Sequence, residues 1–360
     1  MDRRSVIKNA GIAGVLAAGA APAVHAQAAA IRWRLASSFP KSLDTIFGAA
    51  ETIAKKVTEM SGGKFTISTH AAGELMPALG IVDGVQNGTV ECGHTCAYYY
   101  FGKDETFAIG TSVPFGLNSR QMTAWMYEGN GGKLMREFYK NYNIVNFPAG
   151  NTGCQMGGWY RKEMKSAKDI KGLKFRVGGF AGRVIERMGG VPTSIPGGEI
   201  YQALEKGTID AAEWIGPYDD QKLGFNKVAP YYYYPGWWEG GPEVDLFVND
   251  KAYEALSAEN KAILAAACSF AHVEMQAKYD AKNPTALKQL VGAKTKVLPF
   301  PKDMMDLAFK ESMALYEELR GKNPNWKKVY DDMSAFRREQ NLWFRFTEAR
   351  FDSYMQAQKL

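Results

Sequence analysis

Apolar and polar residues alternate from Ile31 to Ala36, and from Thr45 to Met60 apolar positions recur every three or four residues. A period of two marks a half-buried strand, and a period near 3.6 marks an amphipathic helix. The two periods return in Lys64–His70, Ile81–Asn87 and Val90–His94, predicting strand, helix and strand. This βαβ rhythm implies α/β layers of mostly parallel strands covered by helices. Farther on, Leu173–Val177 alternates again and meets Gly178-Gly179, where a strand turns sharply into a helix. A second helix over Glu199–Lys206 leads into a short strand, Ile209–Ile215, carrying Glu213 and Trp214 in an apolar setting. Helical patterns over Phe309–Leu319 and Ser334–Gln358 close the chain.

A chain of 360 residues exceeds one compact core and suits two lobes. No Pro/Gly/Ser-rich linker divides it and no internal repeat runs through it, so the lobes are expected to interleave, with crossings near Asn151 and Gly240. One lobe would take 30–153, about 242–281 and 310–333; the other would take 154–241 and about 282–309. Residues 334–360 remain as a C-terminal helix. On a helical wheel its Phe336, Trp343, Phe344, Phe346, Phe351, Tyr354 and Met355 span roughly half the circumference, wider than the stripe of about 100° that one packing surface requires.

The N-terminus changes the picture of compartment. MDRRSVIK precedes an Ala/Gly-rich apolar run, Ile12–Val24, that ends at Val24-His25-Ala26. The run is shorter than the about 20 residues a spanning helix needs, and the pattern reads as a cleavable, twin-arginine-like signal over residues 1–26. Its removal, with Arg3, Arg4, Lys8 and Asp2, lowers the formal charge from +6 to +4. That balance calls for neither nucleic acid nor a membrane surface.

Enzymatic chemistry has few carriers. Outside the signal the histidines are His70, His94 and His272, and no HExxH, GxSxG or Cys/His signature occurs. Cys92, His94 and Cys96 make a C-x-H-x-C pattern, but structural zinc uses four ligands in paired spacings and no second cluster exists, so the cysteines read as buried thiols. Arg176, at a strand's carboxyl end before two glycines, faces the kind of crevice where α/β sheets hold ligands. It reads either as a ligand clamp or as a structural ion-pair partner. Glu213 and Glu239 would be the carboxylate pair of a hydrolase acting on a carbohydrate or small acid. Such a mechanism leaves Arg176 and Gln155 unexplained.

Four stretches in order, GNTGCQMGGWYRKEM, the strand with Arg176, EIYQALEKGTIDAAEW and YYYYPGWWEGGP, resemble the solute receptors of TRAP transporters, the DctP type. The resemblance covers nearly the whole mature chain. It implies a two-lobed periplasmic binding protein fold and a periplasmic, non-catalytic receptor that serves TRAP membrane subunits. Gln155, Arg176, Glu213-Trp214 and Glu239 together resemble the branch that binds 2-oxo or 2-hydroxy monocarboxylates with a metal ion. By that resemblance Arg176 clamps the carboxylate and Gln155, Glu213, Glu239 and the Trp214 carbonyl ligate the ion. Tyr100, Asn151 and the Trp214 ring would touch the small carboxylate ligand. An all-oxygen set suits calcium or sodium, and calcium better offsets the charge of two glutamates. Members of that branch exchange a C-terminal helix between protomers, so a homodimer competes with a monomer.

Overall fold

A computed structural model describes residues 30–358 of this chain; the expected signal lies outside the described residues. The chain opens with β1 (Ile31–Ser37), α1 (Ile46–Met60), β2 (Phe65–His70), α2 (Ile81–Gln86), β3 (Cys92–Thr95), α3 (Phe107–Thr111), α4 (Ser119–Tyr127), α5 (Gly131–Lys140) and β4 (Ile144–Asn151). It crosses to β5 (Trp159–Tyr160) and continues through β6 (Lys174–Arg176), α6 (Gly179–Arg187), β7 (Val191–Thr193), α7 (Ile200–Lys206), β8 (Ala211–Ala212), α8 (Pro217–Lys222) and β9 (Tyr231–Tyr234). It then returns as β10 (Glu243–Asn249), α9 (Asp250–Glu254), α10 (Ala258–Gly292), β11 (Lys296–Pro299), α11 (Lys302–Lys322), α12 (Pro324–Phe346) and α13 (Glu348–Gln356).

Two sheets result, ordered β2-β1-β3-β10-β4 and β11-β9-β5-β8-β6-β7. Among the described residues each sheet has one reversed strand, β10 in the first and β5 in the second. Each is the first strand laid down after a crossing, so the reversals record the interleaving of the chain. The remaining strands of each sheet share one direction, as the βαβ rhythm predicts.

The crossing segments, 152–158 and 235–242, lie side by side and bond to each other. Gln155 N donates to Glu239 O at 3.1 Å, Gly236 N to Gln155 O at 2.8 Å and Thr152 N to Pro242 O at 3.2 Å. A Cβ on Gly236 would lie 2.7 Å from the Met156 carbonyl oxygen, so only glycine permits this approach. Beside the ribbon α10 runs for 35 residues, packing first on β4 and α1 and then on α8. The division expected at 281–282 falls inside this helix, whose Pro284 resembles a terminator in sequence but sits within an unbroken run.

The C-terminal pattern also resolves differently from the expectation of one helix over Ser334–Gln358. Asn323 caps α12, accepting from Trp326 N at 3.0 Å, and Pro324 takes the first helical position. The helix therefore begins ten residues before Ser334 and buries Trp326, Val329, Tyr330 and Met333. It breaks at Thr347, whose hydroxyl donates to the Trp343 carbonyl, before α13.

Candidate functional site

The site starts from the pairing of β6 with β8. Their parallel register sets Arg176 beside Ala212, and Glu213 N donates to the Arg176 carbonyl at 3.1 Å. The two side chains emerge together, both fully buried. Arg176 Nη1 donates to the Glu213 carbonyl at 2.8 Å and to its carboxylate, and Nε donates to Ile195 O at 3.2 Å. The guanidinium carbon lies 5.2 Å from the Trp214 ring centre. Gly178 N adds a donor to Glu213 Oε1 at 3.3 Å. A Cβ on Gly178 would fall 2.3 Å from the Tyr98 ring, so glycine there lets a tyrosine of the first lobe close on the second.

The crossing ribbon supplies the other half. Its backbone bonds hold Gln155 and Glu239 opposite one another, with Gln155 Nε2 donating to Thr152 Oγ1 at 3.1 Å. Three buried oxygens here have no hydrogen-bond partner: Gln155 Oε1, Glu213 Oε2 and Glu239 Oε2. Burial raises the Glu213 carboxyl to about 7 although the Arg176 charge opposes it. Burial, then the Glu213 charge, pushes Glu239 well above the carboxylate range. Two carboxyls against one guanidinium leave a site short of positive charge. Orphaned oxygens of two carboxylates and an amide suit a hard cation, whose shell would be completed by ligand oxygens. Among the described residues no group of three or more His, Cys, Asp or Glu side chains is placed to hold a metal.

The structure brings Arg176, Glu213, Trp214, Gln155 and Glu239 together. Gln155 and Trp214 also line a cavity of ≈ 10 Å³, with Tyr98, Tyr99, Phe39 and Ile215. Tyr100 and Asn151 do not join them. The Tyr100 hydroxyl lies 3.1 Å from Thr95 Oγ1, in the interior of the first lobe. Both ends of the Asn151 amide are spent on the crossing, donating to Gly241 O at 3.1 Å and accepting from Gly153 N at 2.9 Å. Tyr98 and Tyr99 take the place expected of Tyr100. The run Tyr98-Tyr99-Tyr100-Phe101 signalled the region, but the rotation of the 3-10 turn Ala97–Tyr100 selects which ring faces the cavity.

Tyr231–Tyr234 forms strand β9. Tyr233 donates to Met164 O and Tyr232 to Asp220, so their polar tips serve the second sheet. Cys92, Cys96 and Cys268 are buried free thiols, whereas Cys154 is free and exposed. The larger hollow of ≈ 620 Å³ between β7 and α7 contains none of the expected site residues, and size alone does not mark the site. No described helix is long and apolar enough to cross a membrane.

Interleaved α/β lobes joined by a bonded ribbon, with a buried arginine and two carboxyls where they meet, define a solute-binding receptor. The chain belongs to the DctP family, bacterial extracellular solute-binding protein family 7, whose model matches residues 36–322. It is 48% identical over 360 residues to a monocarboxylate 2-oxoacid-binding periplasmic protein of Nostoc, covering 98% of this chain and 99% of that one. A TRAP transporter solute-binding protein from Bordetella bronchiseptica is 51% identical, with TM-score 0.90, covering 91% of this chain and 97% of that chain. That relative crystallised as a mixed-occupancy dimer with copurified calcium and picolinate in one site and the other site apo. A relative from Pseudoalteromonas atlantica, 40% identical with TM-score 0.87 and covering 91% and 99% of the two chains, holds sodium and pyruvate. The family comprises receptors serving transporters rather than enzymes, which removes the hydrolase reading of Glu213 and Glu239.

Proposed function

We propose that this chain is the periplasmic receptor of a TRAP transporter, capturing a 2-oxo or 2-hydroxy monocarboxylate together with calcium or sodium. The observation that carries the reading is the set of unpaired buried oxygens on Gln155, Glu213 and Glu239 beside the single guanidinium of Arg176. In this reading the ligand carboxylate takes over the Arg176 edge now held by Glu213, and the released carboxylate faces the cation with Glu239 and Gln155. The ligand's carboxylate and 2-oxygen would complete the shell, so an acid lacking the 2-oxygen forfeits an ion contact as well as a hydrogen bond. The Trp214 carbonyl is the further proposed ligand, and its ring the wall of the pocket. The lobes divide as the two sheets do, with α10 shared between them, and the loaded receptor delivers its acid to the transporter's membrane subunits.

A homodimer is part of the proposal. Trp343, Phe346, Phe351 and Tyr354 are exposed along α12 and α13, and a groove of ≈ 540 Å³ between α4 and α10 lies nearby, lined by Ala124, Val273 and Ala277. Pyruvate and lactate affinities are to be measured after exhaustive chelation in sodium-free buffer and again with each ion restored. Binding should fall at least tenfold without an ion and recover with either. Undiminished binding would overturn the cation-bridged site.

A further inference from the structure

We infer that Asp220 is a positioning residue for the cation and carboxylate site, acting through the segment that follows Glu213 and Trp214. The inference rests on the reading above, which assigns those two residues to the site. Asp220 is 1% exposed and accepts four hydrogen bonds from three different parts of the chain. Its Oδ1 takes the amide protons of Ile215 and Gly216, each at 3.2 Å. Its Oδ2 takes Trp159 Nε1 at 2.9 Å from β5 and the Tyr232 hydroxyl at 2.7 Å from β9. The Ile215 carbonyl in turn accepts from Met156 N at 3.0 Å, next to Gln155. One carboxylate therefore sets both arms of the ligand set, the Glu213-Trp214 arm upstream of Ile215 and the Gln155 arm through Met156.

The anchoring is rigid for a physical reason. Trp159 and Tyr232 stack with ring centres 4.0 Å apart and planes 16° from parallel, so the two donors to Oδ2 cannot swing independently. Hydrogen bonds to a buried carboxylate are charge-assisted, and four of them leave the group little freedom. The adjoining carboxyl supplies a built-in comparison. Asp219 is equally buried on the same helix, but it accepts from Tyr279 of α10 at 2.7 Å and touches neither arm. Burial explains two acids being costly; only the partners of Asp220 connect it to the site.

The test compares Asp220→Asn, Asp219→Asn, Trp159→Phe and the double variant Asp220→Asn/Trp159→Phe by calorimetry of pyruvate with calcium. An asparagine that keeps its oxygen on the two amides points its NH₂ at the Trp159 donor, a donor–donor clash that phenylalanine removes. Asp220→Asn should weaken pyruvate binding at least tenfold, and Asp219→Asn should stay within threefold of the parent. The double variant should recover at least threefold over Asp220→Asn while its Tm drops further, because a second core group has been cut away. A merely structural role would make affinity follow Tm downward, and that result overturns the inference. If Asp220→Asn does not fold, Tyr232→Phe decides: threefold or more weaker binding supports the role, and any smaller loss overturns it. Glu213→Gln is run in parallel. Retained binding there rejects the proposed site itself, whereas lost binding there with native-like Asp220→Asn rejects only the positioning role.

Discussion

Arg176 shows how much chemistry one side chain concentrates. Its Nη1 serves the Glu213 side chain and main chain while Nε holds Ile195, so lysine in its place keeps the charge and loses the fork. Arg176→Lys should weaken ligand binding by roughly 2 to 5 kcal/mol, the range for truncating one partner of a buried charge pair. Calorimetry giving an affinity within threefold of the parent would take Arg176 out of the site. Glu239 tests the charge balance instead. With Arg176, both glutamates and the ligand carboxylate ionised, the site carries two uncompensated negative charges, which a calcium ion neutralises and sodium halves. Glu239→Gln removes one of them, so the ratio of calcium to sodium affinity should fall by about tenfold or more. An unchanged ratio would mean that Glu239 does not face the ion.

At the scale of elements, the break at Thr347 separates two kinds of helix. The first half of α12 is anchored in the core by Trp326 and Tyr330, stacked at 5.0 Å, whereas α13 has no buried residue. Glu348 of α13 pairs with Arg120, which also lies 5.1 Å from the ring centre of Phe344 in α12. This exposed aromatic strip is the surface that the proposed dimer would cover. Light scattering at micromolar concentration should give a dimer mass for the mature chain. Ending the chain at Phe346 should give a monomer, with Tm lowered by no more than a few degrees because the deleted helix buries little. A monomer mass for the mature chain would sink the dimer.

The whole molecule gathers an unusual number of buried acids. Burial lifts Asp219 to about 7 and Asp220 to about 6, and it raises Glu243 and Asp245, neighbours on β10, in the same direction. Each holds its proton to higher pH folded than unfolded. The folded state thus binds more protons above about pH 4, and stability falls as pH rises through the folded values. His94 and His272 act oppositely, since burial lowers each to about 4 and the unfolded chain takes up their protons below about 6.5. Between pH 6.5 and 8.5 the acids act, and toward the top of that interval the thiols of Cys92, Cys96 and Cys268, which burial raises, add a loss of the same sign. Cation-free protein should lose stability to urea across that interval, and Asp219→Asn should flatten the loss. A stability curve that rises over the same interval would contradict the assignment. Between the lobes, Asp44 of the first lobe accepts from Lys222 and Tyr218 of α8 and from Lys282 of α10, so closure also carries a salt-sensitive component.

Period, turn residues and charge in an apolar run are local properties, so the α/β class, the two-lobed order and the residues with uncommon chemistry can be read along the chain. Arg176 before Gly178-Gly179 and Glu213 in an apolar run were legible for that reason. Folding alone settles what depends on two distant segments meeting. It chose Tyr98 and Tyr99 over Tyr100 by the rotation of one turn, and it spent Asn151 on the crossing because Gly241 lies beside it. It hid Pro284 inside a helix whose flanks pack on both lobes. It also gave Asp220 its importance, since a carboxylate acquires four donors from three elements only after the chain has folded, and no local pattern records which donors will arrive.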